Sequence, residues 1–150
     1  MSSFFPDLGG AQVTAHNLAR YLTGQGHRVT MFAAWSSWRK LGARRAELGY
    51  RLLPLFPGQQ SLMPRLGWPY QFVQDRYFSW VQRKFKFDVW QSFGTYPTAV
   101  SVGRFTLPRN IPHVLRTVGY DIQKDPDVGY GYRFDPRIEN VMQVYVRQQR

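Results

Sequence analysis

The sequence predicts an α/β fold, a parallel, doubly wound sheet with helices on its faces, and three observations predict it. Short apolar runs alternate with stretches of helical periodicity along the whole chain. Glycine or proline punctuates most of the changeovers. The first changeover, Gly9-Gly10, helix, Gly24-Gln25-Gly26, then an apolar run, is half of a βαβ unit.

The elements follow in order. Ala11, Ala15, Leu18 and Leu22 recur at helical spacing, with Ala19 widening the stripe, and the helix stops where a glycine can take the left-handed cap. His27 to Ala34 reads as a buried strand and Tyr50 to Leu55 as a second, closed by Pro54, Pro57 and Gly58. Tyr70 to Phe85 predicts a helix with Phe72, Tyr77, Trp80 and Val81 on or near one apolar face. Asp88 to Phe93 is a third strand ending at Gly94, and Thr98 to Phe105 a short helix after Pro97. Pro112 to Val118 is a fourth strand ending at Gly119. Asp135-Pro136 is a good helix start, and Ile138, Val141, Met142 and Tyr145 carry its apolar face.

One strand is short. In a doubly wound sheet the first strand lies centrally and the glycine turn follows its carboxyl end. Only Met1 to Phe5 precede Pro6 and the glycine pair, fewer than a strand of about 5–6 residues plus its exit loop needs. The expectation is a first strand largely missing, with two interior sheet edges left open.

A chain of 150 residues, 43% hydrophobic and 19% charged, is long enough for one domain with a real core. There is no cysteine, which excludes disulfides and thiolate metal sites. No N-terminal stretch joins basic residues to an apolar run in the manner of a signal peptide. No apolar segment approaches the ~20 residues that span a bilayer. The net charge is +11, and between Arg28 and Lys86 only Glu47 and Asp75 oppose the cations. Such a surface attracts polyanions, or it is a solvated basic face without a dedicated partner.

Phe5-Pro6-Asp7-Leu8-Gly9-Gly10-Ala11-Gln12 is the most informative segment. Glycines before a helix let a ligand approach the backbone, and the helix offers unpaired N–H groups to an anion such as a diphosphate. The same pair also serves as a plain turn. It is not G-x-G-x-x-G, and no acidic residue ends the next strand at Ala33-Ala34-Trp35, which argues against a nicotinamide dinucleotide. The Lys-Ser/Thr of a P-loop is lacking as well.

The opening stretch, from Phe4-Phe5-Pro6 through Thr30-Met31-Phe32, resembles the start of the family-4 retaining glycosyltransferases. These carry a proline-x-x-Gly-Gly loop, a leucine-alanine helix and a glycine-histidine-x-valine entry into the next strand. Gly9, Gly10, Leu18, Ala19, Leu22, Gly26, His27 and Val29 fill those positions. Asp88-Val89-Trp90-Gln91 matches a later strand, and Ile111 to Gln123 matches one that ends near an H-G-x-D turn.

The resemblance implies the N-terminal, acceptor-side half of a GT-B fold, Rossmann-like. It implies a parent enzyme that transfers a hexose from a nucleotide-sugar to a glycan or lipid-linked acceptor, with the donor as a substrate and no metal or other cofactor. Gly9 and Gly10 would touch the donor diphosphate or the acceptor, and Gly119 and Asp121 would face the same cleft. For Asp121 a turn or helix cap is the alternative. The implied compartment is cytoplasmic, at the membrane periphery.

Two departures follow. Relatives often place a histidine immediately before the turn glycine, where this chain has Val118, which neither donates a hydrogen bond nor moves a proton. His16, His27 and His113 fall away from that end and read as structural. The donor-binding domain would follow Arg150, so residues 1–150 are expected to be an incomplete N-terminal domain, inactive alone, with no catalytic residue assigned.

The aromatic-rich middle, Phe56 to Phe87, interleaves Trp68, Tyr70, Phe72, Tyr77, Phe78, Trp80, Phe85 and Phe87 with cations. Such a helix suits an anionic membrane surface; the alternative is ordinary core. A rival reading is a non-catalytic basic, aromatic module for membrane or nucleic acid. The absence of any RRM, KH or helix-turn-helix pattern argues against nucleic acid. Gly129-Tyr130-Gly131-Tyr132 reads as an exposed loop.

Overall fold

In the computed structural model the described residues are 9–56, 68–129 and 131–147. The chain divides into two units, 1–73 and 74–150. The shortened first strand expected over Met1–Phe5 lies outside the described residues, as do the Pro57-Gly58 stop and Tyr130.

The first unit opens with α1 (Gly10–Gly24), within a residue of the expected bounds. Gly9 is extended (φ −144°), which ends any helix on its N-terminal side. At the other end the Gly26 N–H donates to the Thr23 carbonyl and the His27 N–H to Leu22, with Gly26 at φ +87°. That is a Schellman cap, and the left-handed residue is glycine because a Cβ there is strained. His27 is thereby a cap position.

Next come β1 (Thr30–Ala33), α2 (Trp35–Leu41), a 3₁₀ segment (Gly42–Leu48) and β2 (Arg51–Pro54). The strands pair in parallel, Thr30 with Arg51 through Ala33 with Pro54. Both are shorter than their apolar runs, since only four residues on each side find ladder partners. Parallel strands need a crossover, and the α2–3₁₀ segment supplies it. Ala19, Ala33, Leu41, Leu48, Tyr50 and Leu52 form the core of this unit, with Val29, Met31 and Trp38 packed on it.

The helix α3 (Trp68–Phe85) spans the division between the units. Its buried positions are Tyr70, Gln74, Phe78 and Val81, spaced by four, four and three residues. This corrects the expected apolar face. Phe72 and Trp80 are about half exposed, at 52% and 47%. Apolar residues occur nearly all round this helix, so hydrophobic periodicity alone does not select the inner face.

The second unit holds β3 (Trp90–Phe93) and β4 (His113–Arg116), parallel in register from Trp90 with His113 to Phe93 with Arg116. Their crossover is a π turn (Thr95–Ala99), α4 (Val100–Thr106) and a 3₁₀ turn (Leu107–Arg109). Phe78, Trp90 and Phe105 pack edge-on or tilted with centroids 5.2–5.6 Å apart. Such aromatic geometry adds to the burial energy. Then follow α5 (Gly119–Ile122), a 3₁₀ turn (Tyr132–Phe134) and α6 (Pro136–Arg147). Asp135 caps α6 through its Oδ1, which accepts the Arg137 N–H at 2.9 Å. Gly131, expected in an exposed loop, is instead buried at φ +121°, and a Cβ there would strike the Gln123 carbonyl.

Among the described residues the architecture is therefore mixed α/β, two short parallel strand pairs with helical crossovers, as the alternation predicts. No helix among the described residues is long and apolar enough to cross a membrane.

Candidate functional site

Ligands of open α/β sheets bind outside the carboxyl ends of parallel strands. In the second unit those ends are Phe93 and Arg116. The chain leaves β3 through Gly94, at φ +88°, whose N–H donates to the Arg116 carbonyl at 2.9 Å. Thr95 follows, 1% exposed, and the Tyr96–Pro97 peptide is cis. The chain leaves β4 through Val118, where α5 begins with Gly119.

Asp121 joins the two exits. Its Oδ2 accepts the Thr95 N–H at 2.8 Å and the Val118 N–H at 3.1 Å. Asp121 is 1% exposed, and its Oδ1 is buried with no partner among the described residues. The bond to Val118 is half a capping box; Val118 has no side-chain oxygen to complete it. A carboxylate accepting from backbone amides makes charge-assisted bonds, and it holds both exits in one geometry. Gly119 is exposed beside this staple, and Val118 is half-buried. The groups assembled here are thus backbone amides and one buried carboxylate.

Gly9 and Gly10 belong to the first unit, Gly119 and Asp121 to the second. Within the first unit Gly9 caps α1 without a side-chain bond. A Cβ at Gly9 would run into the Gln12 side chain, whereas Gly10 has open space around it. The Thr14 hydroxyl donates back to the Gly10 carbonyl at 2.8 Å, which steadies the first turn. No acidic side chain lies in that turn, so its positive end is not neutralised there.

The carboxyl end of β1 leads through Ala34 into Trp35, which is 48% exposed. The Trp35 ring stacks on Trp38 with centroids 5.2 Å apart and planes 22° apart. The Arg45 guanidinium lies 3.7 Å over Trp38, and the Trp38 indole N–H donates to the Leu52 carbonyl at 3.3 Å. Sequence reasoning passes over this stack. The usable signal is two tryptophans three apart, directly behind a buried strand.

His27, expected to open a strand, lies instead in the α1 cap, three residues before β1. His16 Nδ1 is hydrogen-bonded to Tyr50 Oη at 2.8 Å, beside a cleft of about 220 Å³ lined by Arg20, Leu41, Arg44, Glu47 and Leu48. Burial, then the Arg20 charge, lowers the His16 pKa, and burial raises Tyr50 to about 12. His113 opens β4, at its amino end, and its Nε2 is hydrogen-bonded to the buried Ser92 Oγ at 2.9 Å. Burial pushes its pKa down to about 4, so it is neutral at pH 7. Among the described residues no group of three or more His, Asp or Glu is placed to hold a metal.

The glycosyl transferase 4-like domain family matches residues 9–147. No curated protein and no solved structure matches the chain. With the match covering most of its length, the chain belongs to the glycosyl transferase 4-like family.

Proposed function

We propose that this glycosyl transferase 4-like chain is the acceptor-side half of a retaining transferase that moves a hexose from a nucleotide-sugar to a glycan or lipid-linked acceptor. The observation that carries the reading is the family match over residues 9–147, on a chain of parallel βαβ units. In such a reaction the protein's part is to hold two substrates together and to stabilise the charge that develops on the leaving phosphate. Gly9 and Gly10 offer backbone N–H groups and close approach for that phosphate or for the acceptor. Gly119 and Asp121 shape the acceptor side, Asp121 chiefly by fixing the two strand exits. Val118 carries no group that moves a proton, so that position contributes no acid or base. The donor enters as substrate, and neither a metal nor another cofactor takes part.

The exposed face of α3 supports a station at an anionic membrane surface. Phe72, Arg76, Trp80 and Lys84 recur every four residues on it, with Arg83 beside them, all exposed. The Lys84 ammonium lies 5.0 Å from the Trp80 ring centroid, and Tyr77 stacks on Trp80 at 6.1 Å. Rings that enter the headgroup layer and cations that pair with its phosphates suit such an interface.

The test is a transfer assay with UDP-, GDP- and ADP-hexoses against glycan and polyprenyl-phosphate-linked acceptors. The chain is expected to bind acceptor, and to turn over donor only when a donor-binding domain is supplied. Turnover by the 150 residues alone would sink the half-domain assignment. A chain that binds no acceptor of either class would sink the acceptor-side assignment.

A further inference from the structure

Trp35 follows β1 by two residues and stands outside the carboxyl end of a parallel strand, where α/β proteins bind ligands. A single exposed apolar side chain carries no message by itself. This one is braced. Its ring lies on Trp38, 5.2 Å away and 22° from parallel. Trp38 is anchored in turn by its N–H bond to the Leu52 carbonyl on β2 and by the Arg45 guanidinium 3.7 Å over its ring. The Arg45 Nε–H donates to the Gly42 carbonyl at 2.6 Å, so the layer beneath Trp38 is itself tied to backbone. A stacked tryptophan pair, braced by the Arg45 guanidinium, therefore holds an indole half out of the protein, at 48% exposure. Whatever lies on it meets a ring already ordered, which is how preorganised sites gain affinity.

The neighbours narrow the ligand. Ser36 is adjacent, and Arg39 is one helical turn on from Trp35, on the same side of α2. Both are exposed, and neither side chain has a hydrogen bond or ion pair among the described residues. An exposed indole with a guanidinium one helical turn on fits a molecule with a flat apolar face and a polar edge. A pyranose is such a molecule, with C–H groups on its face and hydroxyls around its perimeter. A nucleobase also stacks on an indole, and uridine competition separates it from a pyranose.

We infer that Trp35 is the platform on which a pyranose ring of the acceptor stacks, with Arg39 hydrogen-bonding its hydroxyls. The inference rests on the acceptor-side reading above, and adds to it a subsite and a ligand class.

The experiment is saturation-transfer NMR on the chain with maltotetraose, cellotetraose and chitotetraose, with uridine as a competitor. At least one tetrasaccharide is expected to bind, with the strongest transfer on ring C–H protons. Trp35→Ala should weaken it about tenfold or more, Trp35→Phe about threefold, and Arg39→Ala about threefold. Melting temperatures of all three variants check that the fold survives; the exposed Arg39 keeps the test open if Trp35→Ala unfolds. Binding unchanged in Trp35→Ala or in Arg39→Ala, displacement of the glycan by uridine, or no binding of any tetrasaccharide by the unaltered chain each overturns the platform. The transfer assay judges the acceptor-side reading separately, because it also offers lipid-linked acceptors and reads donor turnover.

Discussion

The two parallel pairs end differently. Beyond β3 and β4 a buried carboxylate ties both exits through backbone amides, whereas beyond β1 an aromatic stack leans on β2 and leaves its last ring in solvent. The first device is directional, since its bonds demand particular N–H positions. The second is held by contact area and one long hydrogen bond, so it tolerates small shifts. One unit thus fixes its strand exits by directed bonds, and the other holds its exit by ring contact.

The largest expected effect tests the rigid side. Asp121→Ala leaves the Thr95 and Val118 amides without their acceptor, and should cost about 2–4 kcal/mol in urea unfolding. Asp121→Asn keeps an acceptor without the charge and should recover about half. Equal losses for both variants would break the idea that geometry is set by the two bonds. On the aromatic side, Trp38→Ala should cost about 2 kcal/mol, less than a fully buried tryptophan because the ring is half-buried. It should also red-shift the emission of Trp35; an unshifted spectrum would show that the stack does not order it.

A smaller effect separates the ends of the second pair. His113 is neutral when folded, so the unfolded chain binds the extra proton between its ordinary pKa of 6.5 and the folded value of about 4. Stability is therefore complete above pH 6.5 and falls as pH drops toward 4. Between pH 7 and pH 5 the loss should be about 1 kcal/mol, roughly half of the full linkage value, because the ring is only partly buried. His113→Gln should flatten this slope in acid melts while sparing the Asp121 staple. The least effect on stability, within about 0.5 kcal/mol, is expected for Arg76→Ala with Lys84→Ala. The same pair should weaken binding to phosphatidylglycerol vesicles about 30-fold, at about 1 kcal/mol per cation. Vesicle binding that ignores both the pair and added salt would remove α3 from the proposed interface.

Much of the fold was legible because its signals are local. The Gly24-Gln25-Gly26 stop became a Schellman cap, and Asp135-Pro136 became a capped helix start. What failed was longer in range or weaker in period. The inner face of α3 is chosen by Trp90 and Phe105, which lie 12 and 27 residues beyond Phe78, and it places a glutamine inside and a tryptophan outside. The helix α2 is seven residues long, too short for periodicity to declare it. For the candidate site, Gly119 and Asp121 were visible as a turn. The partner that makes Asp121 a staple, Thr95, is 26 positions away and has no local cue.

Gly131 carries a consequence for how this sequence can vary. Its positive φ, and the Gln123 carbonyl standing where a Cβ would go, close the position to every other residue. A saturation library there should return glycine alone, whereas Asp125 to Val128, all exposed, should accept broad replacement. The connection between α5 and α6 is thus one pinned residue beside a permissive stretch. A peptide tag or a fluorophore attachment site belongs at 125–128, short of Gly131.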